Sequence, residues 1–319
     1  MPKDKSKVSI FSILLLLLSF GIFSYAVFFR FTHPVEKVVP IEPAPVEEAK
    51  EIVNDPPVLG EKDENIPVKK EEPVPKVTAL SYIVYDMEHY EVVTDKNPDL
   101  ILPPASTTKL MTALVALDEY SIEDVLPIPK DCLKLPGAQA YLLDGDFLSV
   151  ESLLYALLLP SASDAACVLA SGHGNSSEFL AKMKERVEEL GLTHTNFTNV
   201  IGLDNENGNH FSTASDLLTI AKEVWKNPEL MKIVGTKYYE VPSRDSSRTY
   251  TIRNTNELLF SLPGTVGMKT GTTEKAGACL VYAYANTSKD KKAIIIIMGS
   301  NEESRFTDAK ALLDWYLAL

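Results

Sequence analysis

Cysteine is scarce in this chain. There are three in 319 residues, Cys132, Cys167 and Cys279, with no close spacing. A Cys-x-x-Cys redox or zinc pair is therefore excluded. Cys167 falls in an apolar helical pattern and Cys279 in a strand-like one, so all three read as unpaired packing residues. There is no His-Glu-x-x-His and no phosphate-cradling glycine loop, and neither a metal nor a nucleotide cofactor is expected. Asp204-Asn205-Glu206-Asn207-Gly208 has the flavour of a calcium loop, but its glycine is out of place. Positive charge is short as well: 31 Lys and Arg against 44 Asp and Glu leave a net charge of −13. That balance argues against a nucleic-acid partner. No internal repeat is visible.

Long apolar runs are absent except at one place. Val8 to Phe29 is 22 residues without a charge, preceded by Lys3, Lys5 and Lys7. At about 1.5 Å per residue a helix of this length covers roughly 33 Å, enough to cross a bilayer. The preceding lysines would keep the N-terminus in the cytoplasm. The alternative is a cleaved signal peptide, with Ser24 and Ala26 at the spacing of a cleavage site. Either way the rest of the chain is exported, as a single-pass membrane protein or as a secreted one.

From His33 to Lys76 the chain holds nine of its twenty prolines, eleven acidic and six basic residues, and no aromatic residue. Such a composition cannot bury enough apolar surface to offset its ordering entropy, so a disordered linker is expected. The reading is of three parts: a cytoplasmic stub and anchor over 1–32, a linker over 33–76, and one globular domain over 77–319.

Within that domain Ala79–Tyr85 is strand-like, with a second strand around Glu91–Val93. Pro103-Pro104 ends the extended chain, and Leu110, Ala113, Leu114 and Leu117 then recur at helical spacing. Helical periods follow over Val150–Leu159, Asp164–Ser171, Ser177–Leu190 and Thr213–Trp225, the last behind a good start at Ser212–Asp216. Strands return at Ala278–Ala285 and Lys292–Met298, joined by a hairpin loop at Asn286–Asp290. A last amphipathic helix spans Asp308–Leu319. Strands at both ends with helices between imply an α/β fold, in which one antiparallel sheet joins the termini beside a helical lobe.

Three short stretches carry the chemistry. Ser106 and Lys109 lie three apart at the head of a helix, where positions i and i+3 share a face. A serine needs a base to become a nucleophile. A lysine serves only if its pKa falls from about 10.4 towards 7–8, at a cost of roughly 4 kcal/mol. A helix N-terminus and a second cation push that way, and Lys269 is the natural second cation. Alone, the pair also fits a helix cap followed by a surface lysine. Lys269-Thr270-Gly271 sits just before a strand, and its glycine permits another backbone to approach an edge. Thr270 offers a hydroxyl and Lys269 a positive charge for a carboxylate. Ser161, in Ser161-Ala162-Ser163, follows Leu157-Leu158-Leu159-Pro160 and opens a new helix, where a capping role is equally open.

In this order and spacing the three boxes resemble the low-molecular-mass penicillin-binding proteins of the D-alanyl-D-alanine carboxypeptidase type. The resemblance extends to Pro104–Thr112, Leu153–Ser161, His210–Ala214 and Lys269–Gly277. It implies a β-lactamase/transpeptidase-like fold. It also implies a serine-type hydrolase that trims peptidoglycan stem peptides and is acylated by β-lactams. By that resemblance Ser106 is the nucleophile, Lys109 its base and Ser161 the proton relay to the leaving D-alanine. Lys269, Thr270 and Arg305 hold the terminal carboxylate, Gly271 belongs to the strand box, and the backbone N–H groups of Ser106 and Thr272 receive the oxyanion. His210 matches a histidine near the site, and a structural role fits it equally.

Two departures stand out. Ser163 replaces the usual Asn of the middle box, losing an amide that both donates and accepts. The sequence also ends at Leu319, straight after the catalytic domain, without the β-rich domain of many relatives. A D,D-endopeptidase, a β-lactamase and a non-catalytic wall-binding relative remain the alternative readings.

Overall fold

The computed structural model describes residues 73–172, 174–242, 249–286 and 290–319. The chain enters as an antiparallel pair, β1 (Ser81–Asp86) and β2 (Glu91–Lys96). A 3-10 turn at Ala105–Thr108 leads straight into helix α1 (Lys109–Glu119). Strands β3 (Val125–Pro127) and β4 (Phe147–Ser149) pair with each other and enclose a second 3-10 turn at Lys130–Lys134. Helices α2 (Val150–Leu158), α3 (Ser163–Ser171), α4 (Ser176–Glu189), α5 (Ala214–Lys226) and the short α6 (Pro228–Val234) build the helical lobe. A ribbon of β5 (Tyr238–Pro242) and β6 (Thr249–Arg253) and a single turn, α7 (Leu258–Ser261), lead back to the sheet. Strands β7 (Thr265–Thr273), β8 (Gly277–Asn286) and β9 (Lys291–Ser300) and helix α8 (Arg305–Ala318) complete the chain.

The main sheet has five antiparallel strands in the order β2-β1-β9-β8-β7, so strands from both ends of the domain share it. The isoleucine run explains the centre. Ile294, Ile296 and Met298 of β9 face one core with Leu110 of α1, Leu154 of α2 and Leu217 of α5. Ile295 and Ile297 face the other, against Leu312, Leu313 and Tyr316 of α8. A strand covered on both faces needs apolar residues at every position rather than at alternate ones. Each such side chain contributes about 1.5–3 kcal/mol by burial. Strand β7 is left at the sheet edge, which is where the Lys269–Gly271 box needs to be.

Local signals set the helix starts. The Thr213 hydroxyl accepts from the Asp216 N–H at 3.1 Å and caps α5, as the Ser212–Asp216 stretch leads one to expect. Asn227 caps α6 and Pro228 opens it, a placement suited to a residue without an N–H. Expected element ends shift by one to three residues, within ordinary fraying. Strands β3 and β4 escape sequence reading because three residues cannot show a period.

The cysteines require a correction. Cys132 and Cys167 form a disulfide across a separation of 35 residues, and Cys279 alone is free and buried. The chain brings the 130–134 turn onto α3 although nothing in the spacing announces it. The Val8–Phe29 run, residues 33–72 of the linker and residues 287–289 of the hairpin loop lie outside the described residues. Among the described residues no helix is long and apolar enough to cross a membrane.

Candidate active site

The nucleophile box is presented by a strained turn. Ala105 has φ +50, a left-handed conformation that costs a non-glycine residue free energy, and Ser106 follows it at the mouth of a cavity of about 230 Å³. Two glycines let other backbones close on this turn. A Cβ on Gly202 would lie 2.0 Å from the Ala105 carbonyl oxygen, and one on Gly271 would lie 2.8 Å from the Ser106 nitrogen. Strand β7 and the 199–204 loop can therefore flank Ser106 only with glycine at both positions.

Lys109 is 1% exposed, and its Nζ donates to Ser106 Oγ at 2.9 Å and to the Ile201 carbonyl at 2.7 Å. Burial draws its pKa from 10.5 down to about 7, against an opposing pull from the Asp164 carboxylate. Burial is thus the leading cause, and the repulsion expected from the second cation acts on both lysines. Lys269 is fully buried. Its pKa is held well below the ordinary value by burial first, then by Lys109 and Arg305.

The carbonyl that meets Lys109 is itself held in place. Asn199 Oδ1 accepts from the backbone N–H groups of Ile201, Gly202 and Leu203 at 3.2, 2.8 and 3.1 Å. The Asp204 carboxylate then ties this loop to β7 through Thr273 Oγ1 (2.8 Å) and the Lys275 N–H (3.0 Å). That accounts for the apparent calcium loop, whose leading carboxylate is spent on this tie. Among the described residues no group of three or more His, Cys, Asp or Glu converges.

The middle box forms the facing wall. Ser161 lines the cavity in a left-handed conformation, φ +67, and its buried Oγ has no hydrogen-bond partner among the described residues. It does not cap α3; Ala162 takes the N-cap position. A buried hydroxyl without a partner costs about 1–3 kcal/mol, and such groups cluster where a ligand completes them. Ser163 also lines the cavity. Its N–H donates to the Ala138 carbonyl at 2.7 Å, and its Oγ would lie 2.9 Å from a Cβ on Gly137. The next residue, Asp164, is fully buried and accepts from the Ala140 N–H at 3.0 Å and the Leu142 N–H at 3.1 Å. Asp164 thereby holds the 137–142 segment against the cavity.

The strand box closes the site. Thr270, Gly271, Thr272 and Arg305 line the cavity, while Lys269 lies beneath it and donates to the Thr270 carbonyl at 2.8 Å. Arg305, from the start of α8, reaches back to β7: its Nη1 donates to the Gly271 carbonyl at 2.9 Å and to Thr272 Oγ1 at 2.6 Å. His210 is not part of the cavity wall. Its Nδ1 accepts from the Thr198 N–H at 3.0 Å, which leaves the proton on Nε2 for Thr108 Oγ1 at 2.9 Å. Burial lowers its pKa to about 4 and keeps it neutral, so it braces the 198–211 loop against the Ser106 turn.

Of the sequence candidates, the fold therefore brings Ser106, Lys109, Ser161, Ser163, Thr270, Gly271, Thr272 and Arg305 to one cavity. Sequence reading missed Thr255, whose hydroxyl lies 2.6 Å from Thr270 Oγ1. It also missed Asn199 and Asp164; the only available signal was the position of Asp164 beside the middle box. A serine beside a buried, weakly basic lysine, facing an unpartnered hydroxyl and a cationic edge strand, is equipped for acyl transfer from a carboxylate-ended peptide.

Known proteins resemble this chain in sequence and fold. The family model for D-alanyl-D-alanine carboxypeptidases matches residues 68–302. A Bacillus subtilis D-alanyl-D-alanine carboxypeptidase is 32% identical over 74% of this chain, which spans 61% of that protein's length. One from Mycobacterium tuberculosis is 34% identical over 77% of the chain, which spans 85% of its length. The crystal structure of a Streptomyces DD-transpeptidase superposes with a TM-score of 0.73 at 31% identity, covering 78% of this chain and 100% of its own. The chain belongs to the D-alanyl-D-alanine carboxypeptidase family.

Proposed function

We propose that this protein is a serine-type D-alanyl-D-alanine carboxypeptidase that trims peptidoglycan stem peptides through an acyl-enzyme at Ser106. One observation carries the reading: a lysine drawn down to about 7 by burial points its amine at Ser106 Oγ from 2.9 Å. With a pKa brought close to neutrality, Lys109 is available as the free base at physiological pH. That amine takes the Ser106 proton as Oγ attacks the carbonyl of the penultimate D-alanine. The oxyanion faces the N–H groups of Ser106 and Thr272, brought together by the close approach of Gly271. Ser161, its hydroxyl uncommitted, passes the proton on to the departing D-alanine nitrogen. Thr270 and Arg305 hold the terminal carboxylate, with Lys269 bonded to the Thr270 carbonyl behind them. Water then releases the ester, and a β-lactam acylates the same oxygen.

The Val8–Phe29 run anchors the chain in the cell membrane, and the proline-rich linker carries the catalytic domain outside. Deleting residues 8–29 is expected to move the protein from membrane to soluble fractions; unchanged retention contradicts the anchor.

Activity is tested with a defined pentapeptide ending in D-Ala-D-Ala. The wild-type protein releases free D-alanine and leaves the tetrapeptide, and Ser106→Ala releases none. Release that survives Ser106→Ala overturns the reading, and cleavage only of cross-linked dimers identifies an endopeptidase instead.

A further inference from the structure

Thr255 links the strand box to the chain just ahead of the middle box. Its backbone N–H donates to the Leu159 carbonyl at 3.0 Å, and its hydroxyl reaches the same oxygen at 3.2 Å. Leu159 stands two residues before Ser161. The same Thr255 hydroxyl lies 2.6 Å from Thr270 Oγ1 on β7, and Thr255 lines the cavity between them. It is neither a box residue nor an element residue; it sits in the turn between β6 and α7.

The protons can be counted. Each threonine hydroxyl has one hydrogen and two lone pairs. When Thr255 donates to Leu159, the short contact to Thr270 requires Thr270 to be the donor. Thr270 then shows the cavity only lone pairs, which repel a carboxylate. For Thr270 to donate into the cavity, its oxygen must accept from Thr255; otherwise two sets of lone pairs face each other at 2.6 Å. The switch strands no acceptor, because the Leu159 carbonyl keeps the Thr255 N–H.

We propose that Thr255 is a positioning residue that redirects the Thr270 hydroxyl from donating to Thr255 to donating into the cavity when a substrate carboxylate enters. The inference rests on the carboxylate-binding role of Thr270 in the proposed reaction. In Thr255→Val a methyl replaces the hydroxyl. It removes the competing lone pairs but also the hydroxyl that orients Thr270. Because carbon cannot approach Thr270 Oγ1 as closely as oxygen does, the methyl shifts the Thr270 hydroxyl off its donating position. Thr255→Ser keeps the relay.

The test is an acylated peptide ending in D-Ala-D-Ala, supplied as the free acid and as the C-terminal amide. Release of D-alanine or D-alaninamide is followed for wild type, Thr255→Val and Thr255→Ser. Wild type is expected to prefer the acid. In Thr255→Val the acid-to-amide ratio of kcat/KM is expected to fall about tenfold, the worth of one hydrogen bond to a charged group. The change should appear in KM for the acid, with kcat within about twofold, and Thr255→Ser should restore the ratio. Because the ratio is taken within each variant, a smaller folded fraction cancels. A wild-type ratio in Thr255→Val, or a Thr255→Ser as impaired as Thr255→Val, overturns the inference alone. A wild-type protein indifferent to the carboxylate overturns the carboxylate reading and the inference with it.

Discussion

Replacing Lys109 with methionine should make the folded protein more stable while abolishing its chemistry. Burial lowers the Lys109 pKa from 10.5 to about 7. At about 1.4 kcal/mol for each tenfold change in proton affinity, that drop costs the fold about 5 kcal/mol. The cost is fully present below pH 7. Between about 7 and 10.5 the unfolded chain holds a proton that the folded chain lacks, so stability rises with pH by about 1.4 kcal/mol per unit. Above both values the penalty is gone. Buried Lys269 acts in the same direction. His210, lowered to about 4, also acts in that direction but only below its unfolded value of 6.5, outside this window.

Methionine fills similar space without a charge. It leaves Ser106 Oγ and the Ile201 carbonyl without the Lys109 donor, losing about 1 kcal/mol for each bond. Near pH 7 the net gain is then about 2–4 kcal/mol. Urea unfolding at pH 7, 8 and 9 measures it. The advantage of Lys109→Met should shrink by about 1.4 kcal/mol per unit as pH rises, while acylation by a fluorescent penicillin disappears. In the wild type, acylation should climb about tenfold per pH unit up to 7 and level off beyond. Equal pH slopes for the two proteins, or a less stable variant at pH 7, would refute the claim that burial tunes this lysine.

Other substitutions follow from the same geometry. Gly271→Ala places a Cβ 2.8 Å from the Ser106 nitrogen and 2.9 Å from the Ala105 Cβ, rigid atoms that cannot yield. Its acylation rate should fall at least about a hundredfold, with a modest stability loss of about 1–3 kcal/mol seen by thermal melting. Reducing the Cys132–Cys167 disulfide, which spans 35 residues, should remove about 4 kcal/mol and lower the melting temperature by roughly 10 °C. A Cys132→Ala/Cys167→Ala variant should melt at the lower temperature with or without dithiothreitol. Ser163→Asn lengthens a side chain that lines the cavity beside Gly137 and adds an amide there. It should slow acylation severalfold, and a tenfold gain in rate would instead identify Ser163 as the residue that attenuates the natural site.

What the sequence made legible depended on local pattern. The Ile294–Ile297 run announced a strand, although not the helices that cover both its faces, and Ser106 and Lys109 announced themselves through helical spacing. Lys269–Gly271 reads in the sequence as a stretch just before a strand, with a glycine suited to a sheet edge; it lies inside the edge strand β7 itself. Residues that work through distant neighbours were silent. Thr255 meets Thr270 only because the chain turns back through α7, and Cys132 meets Cys167 only because the 130–134 turn folds over α3. The cause of the Lys109 shift was equally hidden. Repulsion by Lys269 is imaginable from a motif, whereas burial to 1% exposure is a property of the packed fold. His210 drew notice by type and position, but its hydrogen bonds to Thr198 and Thr108 turn it away from the cavity.

The central claim is that Ser106 Oγ forms a covalent acyl-enzyme. Intact-mass spectrometry after incubation with a penicillin tests it most directly, followed by peptide mapping and repeated on Ser106→Ala. A gain equal to the mass of one intact penicillin, mapped to the peptide containing Ser106 and absent from Ser106→Ala, is the predicted result. An unmodified wild-type protein, or an adduct that persists in Ser106→Ala, contradicts the account.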